Sequence, residues 1–213
     1  MEVWLELKES AIIVRKELKY NTLKPIFISL SVFFIIFIFF GFSNLSKDNS
    51  INVMEMYLPL IGIILITPVF EQEQDYGIEQ TIRTRRTNFT VTLVVRIIVR
   101  ILVYILITLV FAIFLKNNGS YMDYKTIIPQ SIGIGFLYGS LGVFFFGITF
   151  NLIIGYLVPI LYFMANSFLG YEKLKEIFLF RLKYGLDLKY EYCFIVGVVL
   201  IILGVLVRIR KSR

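Results

Sequence analysis

The residues that carry covalent or metal chemistry are almost missing from this chain of 213 residues. Histidine is absent and there is one cysteine, Cys193. That removes any Ser-His-Asp or Cys-His arrangement and any H-E-x-x-H zinc helix. A single cysteine also closes no internal disulfide. No G-x-x-x-x-G-K-[ST] run is present to cradle a nucleotide phosphate. The chain is therefore expected not to be an enzyme, and to hold no metal or cofactor of its own. Glu55 is the only acid expected inside an apolar stretch, where an intramembrane aspartyl protease would need two facing carboxylates.

The remaining charge has a pattern. Between Glu71 and Arg86 the acids come first and the arginines last, as the dipole of a short helix favours. Ile78 and Ile82, four apart, would give that helix one apolar ridge. A polar helix joined rigidly to two apolar segments could pass on the motion of a soluble partner; the alternative is a solvated loop with compensating charges. Arg96 and Arg100 stand at the start of an apolar run and Glu55 near the end of another. All three are expected to snorkel to water, with Arg96 and Arg100 acting as interfacial anchors. Ser131, Gly135 and Gly139 recur every four residues and are expected to form a face for close helix packing.

These elements belong to a chain that is 58% hydrophobic and only 17% charged, with a mean hydropathy of +0.80. A soluble domain is about 45–50% apolar and about 25% charged. The composition predicts an all-α integral membrane protein and excludes a soluble enzyme or a nucleic-acid-binding module. At roughly 20 apolar residues per crossing, six transmembrane helices are expected, at about 25–42, 53–70, 97–115, 127–148, 152–169 and 192–207, in a single domain over 1–213. The fourth and fifth divide a stretch of 46 residues, Thr126–Tyr171, that contains no charge; the expected break is Thr149-Phe150-Asn151. Residues 1–24 are too polar for a signal-peptide core and read as an amphipathic interfacial helix. Trp4, Leu7, Ala11, Val14 and Leu18 lie on one face and lysines on the other, with Trp4 as a further interfacial anchor. With both termini inside, fourteen of the 22 Lys and Arg residues fall on the cytoplasmic side, the direction of the positive-inside bias. The five basic residues between Glu172 and Glu191 stand against this orientation.

The order of these elements resembles the permease subunits of ABC-2 type (type V) ABC transporters. The resemblance rests on an amphipathic N-terminal helix, a second span ending Thr67-Pro68-Val69-Phe70-Glu71, and an acidic segment with a glycine, Glu73–Gly77–Glu79. A basic turn, Arg83–Arg86, and a third span opening on Arg96 or Arg100 complete it. It covers nearly the whole chain in topology, but its local motif only about residues 66–100. What it implies is a multi-pass protein of the bacterial cell membrane, both termini cytoplasmic, whose partners are a cytoplasmic ATP-binding subunit, a second permease (identical or homologous) and membrane lipid. ATP and Mg would sit on the partner. Glu71, Glu73, Gly77, Glu79 and Arg83 would belong to the helix that docks on the ATPase, and residues 171–186 would dip into the outer leaflet. The chain is short for that family and has no large external domain. The loop typical of importers is not recognisable either, which points to export. The Phe- and Tyr-rich spans suggest a hydrophobic or amphipathic cargo: a peptide, an antibiotic or a lipid-like molecule. A non-transporting immunity or sensor protein and an ATP-independent channel are the alternatives.

Overall fold

A computed structural model describes residues 17–41, 43–74, 89–121, 123–186 and 190–211. Among these residues every element is helical. Six helices are long and apolar enough to cross a membrane. They are α1 (Leu23–Phe40), α2 (Lys47–Gln74), α3 (Phe89–Asn117), α4 (Ile127–Thr149), α5 (Leu152–Leu174) and α6 (Tyr190–Lys211). Of the expected interfacial helix residues 17–24 are described: Glu17–Thr22 form a wide π-helical turn, and Leu23 and Lys24 already belong to α1, which therefore starts before Pro25. Trp4 and the rest of that segment lie outside the described residues.

Two helices make the core. α2 and α4 are mostly buried, whereas α1, α5 and α6 keep most of their apolar side chains on the outside. Such an inverted surface suits a solvent of hydrocarbon. α4 packs against α2, α5 and α6, and glycines make that possible. A Cβ on Gly62 of α2 would run into the backbone of Gly135 on α4. One on Gly139 would fall 2.6 Å from Ile66 Cβ and 2.8 Å from Gly62 O, and one on Gly147 would sit 2.5 Å from Gly204 O of α6. Ser131 belongs to the same face, and its carbonyl accepts from Tyr104 Oη at 2.9 Å. We expect Gly62→Ala to sharply reduce the yield of monodisperse protein in mild detergent, because backbone cannot move aside as a side chain can. Gly133→Ala, whose added methyl would meet Tyr190 Cβ at 3.1 Å, should lose far less. Equal yields for the two variants would show that the α2–α4 crossing tolerates separation.

Helix α2 is not uniform, and its irregularities place the polar residues. Pro59 has no N–H to give, so the ladder is interrupted. The turn before it widens, with Leu58 N donating to Val53 O at 2.9 Å. Pro68 (φ −79°, ψ 31°) breaks the helix again, and Thr67–Gln74 continues as a tighter 3₁₀ helix. The turn between α4 and α5 falls at Phe150, in the left-handed conformation (φ 54°), followed by Asn151, whose Oδ1 accepts from Ile153 N at 2.9 Å. At the opposite end of the bundle Asp123 stands in the turn that leads into α4. Thr126 Oγ1 and Lys125 N donate to its carboxylate and hold it below the usual carboxylate range.

Candidate functional site

Charge inside the bundle gathers at the end where α2 stops and α3 begins. Arg96 and Arg100 lie one turn apart on α3 and so share a face. Both are buried, at 4% and 1% exposure. Glu17 bridges them, with Oε2 3.3 Å from Arg96 Nε and Oε1 3.3 Å from Arg100 Nε. Arg96 Nη1 also donates to Glu73 Oε1 at 3.1 Å and to Val69 O at 2.7 Å, and its Nη2 to Gln72 Oε1 at 2.8 Å. Arg100 Nη1 donates to Leu65 O at 3.4 Å. The interruption at Pro68 leaves carbonyls at the end of α2 for the two guanidiniums to meet. The other oxygen of Glu73 takes Arg208 of α6 at 3.3 Å. The Arg208 guanidinium lies 3.5 Å over the Phe150 ring, and Gln74 Nε2 donates to Phe150 O at 2.9 Å.

Two carboxylates and three arginines thus tie together the π turn before α1, the end of α2, the start of α3 and the end of α6, with the α4–α5 turn held beside them. Both carboxylates are engaged by guanidiniums, so the cluster is arranged for fastening. Buried pairs of this kind are strongly destabilised when one partner goes, and they can part and re-form only if several elements move together.

The expectation that Arg96 and Arg100 reach outward as anchors is corrected by this geometry. Acids brought by other segments neutralise them inside the bundle, so α3 begins at Phe89 and not after Arg96. Glu73 is likewise turned inward, at 1% exposure. Glu71 remains at the surface, 3.8 Å from Lys24 Nζ. Gly77, Glu79 and Arg83 lie outside the described residues, beginning one residue past Gln74. Glu17 and Arg208 were not singled out by sequence. The signal that could have found them is the Arg96/Arg100 pair itself, since two cations on one face of a spanning helix require partners.

No known protein family, curated protein or solved structure matches the chain.

A second polar site closes the other end. Residues 175–186, between α5 and α6, fold back as two short 3₁₀ turns, Lys175–Ile177 and Leu182–Tyr184, and bury Phe178, Leu179 and Phe180. Its own turns pair part of the strap's backbone, with Tyr184 N donating to Arg181 O and Gly185 N to Leu182 O, both at 3.1 Å, and side chains of the bundle take up further groups. Glu55 accepts from Leu182 N at 2.8 Å and Lys183 N at 3.1 Å. Gln130 Nε2 donates to Leu179 O at 2.9 Å and to Glu55 at 3.4 Å, and Asn166 Oδ1 accepts from Leu179 N at 2.8 Å. Tyr162 Oη donates to Ile177 O. Glu55 is fully buried, so the expectation that it snorkels to water is also corrected.

Proposed function

We propose that the chain is a membrane-embedded permease subunit of an ATP-driven ABC exporter. It would be multi-pass, with both termini on the cytoplasmic side, and would move a hydrophobic or amphipathic cargo outward. It would work with a second permease and with a separate subunit that binds ATP and Mg. The observation that carries this reading is the Glu73-centred cluster. It fastens the end of α2 to α3 and α6 at the point from which residues 75–88 depart, and those are the residues expected to dock on the ATPase. A pull on that segment would act directly on Glu73, and through Arg96 and Arg208 on two further helices. Transmission between sites would require this element to have two discrete arrangements.

The reading is tested in inverted membrane vesicles and by purification. A fluorescent amphipathic dye is expected to accumulate with ATP and not with ADP. A crosslinked partner is expected to photolabel with azido-ATP. Reversing charge with Glu79→Arg and Arg83→Glu should abolish both the partner and the uptake, while the protein stays folded. Unchanged uptake and partner binding in the reversed variant would remove residues 75–88 from the coupling. Ion conduction by the purified chain alone in liposomes would favour a channel instead.

A further inference from the structure

Behind the strap lies a cavity of about 350 Å³, open to the outside of the bundle between α4, α5 and α6. Its wall is Leu137, Tyr162, Phe178, Leu179, Cys193 and Val196, with Glu176 at its edge. The volume falls in the roughly 300–1,000 Å³ range of small-molecule pockets. Its surroundings narrow the occupant. Tyr192, Val196 and Val199 repeat along one side of α6 and are all exposed, as is Ile177 on the strap, so the mouth opens on the apolar outer surface. The hydroxyl of Tyr162 is already given to Ile177 O. A water needs two to four polar partners, and an empty apolar hollow forfeits dispersion contacts along its whole lining. In a bilayer the group at hand to fill it is a hydrocarbon chain. The strap and the end of α5 carry exposed charges of both signs, Glu172, Lys173, Lys175 and Glu176, and of these Glu176 lines the cavity. A head group above the chain would therefore meet cations and a carboxylate side by side.

We propose that this cavity is a lipid site. It takes one acyl chain of a phospholipid with a primary-amine head group. The ammonium lies toward Glu176 and the phosphate toward Lys175. The site rests only on the six helices lying in a bilayer and not on coupling to ATP, so its failure leaves the exporter reading standing, and the reverse holds too.

The test uses the full-length protein in phosphatidylcholine nanodiscs. The probe is phosphatidylethanolamine with a photoactivatable diazirine at the end of one chain, and adducts are mapped by peptide mass spectrometry. Labelling at Leu137, Cys193 and Val196 is expected to saturate with probe mole fraction. It should exceed labelling at Ile202, an exposed α6 residue away from the cavity, by roughly tenfold, or about 1.4 kcal/mol. Val196→Trp, which fills the mouth, should remove the cavity adducts and leave those at Ile202. On the unmodified protein, unlabelled phosphatidylethanolamine should compete the cavity label away more effectively than phosphatidylcholine or phosphatidylglycerol. Glu176→Gln should erase that preference. Labelling that rises linearly and equally at the cavity and at Ile202 would overturn the site. Equal competition by the three lipids would overturn the head-group assignment.

Discussion

Glu73→Ala is expected to destabilise the folded protein by about 3–5 kcal/mol, the range for removing one partner of a buried ion pair. The main effect comes from charge, because the carboxylate that neutralises two enclosed guanidiniums is withdrawn. Arg208 and Arg96 each lose a carboxylate oxygen at 3.3 Å and 3.1 Å while remaining enclosed. Arg96 keeps Glu17 and the Val69 carbonyl, and Arg208 keeps its place over the Phe150 ring, but both lose part of their neutralisation. Glu73→Met combined with Arg208→Met should therefore be less damaging than Glu73→Ala alone, because the double change removes both members of the pair and keeps an apolar stem over Phe150. The comparison is made by unfolding titrations in mixed micelles. A Glu73→Ala variant within about 0.5 kcal/mol of the parent, the level of an ordinary surface change, would show that water reaches this cluster freely.

Removing Glu55 should free the strap. Glu55→Ala withdraws the acceptor from Leu182 N and Lys183 N and one partner from Gln130. A fully buried group left without a partner costs about 1–3 kcal/mol, and the part-buried Leu182 and Lys183 amides lie toward the lower end. Hydrogen exchange reads this directly, since the two amides in question are themselves the donors. Exchange at Leu182 and Lys183 is expected to accelerate by roughly ten- to a hundredfold, with 1.4 kcal/mol per factor of ten, while the middle of α4 stays protected. Glu55→Gln keeps an acceptor oxygen and should fall between the two. No change in exchange across 178–186 in Glu55→Ala would mean that Phe178, Leu179 and Phe180 hold the strap by apolar packing alone.

The two variants separate what was legible in the chain from what was not. The six long helices were readable because a crossing demands a run of apolar residues, which is a local property. The turn at Phe150-Asn151 was readable because it is the polar point in a stretch without charge. The glycine row on α4 was readable from its four-residue spacing, although its partner, Gly62, was not. Charge does not mark where α3 starts. Arg96 and Arg100 look like a helix end in one dimension, and α3 runs through them because Glu17 and Glu73 arrive from 79 and 23 residues away from Arg96.

Composition and hydropathic pattern were enough to settle helices, their number and the scarcity of reactive side chains, because each depends on neighbours a few residues apart. The pairing of Glu73 with Arg208 and of Glu55 with the strap was decided only in three dimensions. Those contacts join residues more than 120 positions apart, and nothing local distinguishes a carboxylate bound for a guanidinium from one bound for water. The difference lies in burial, which turns a weak surface attraction into an interaction that the fold must satisfy or lose.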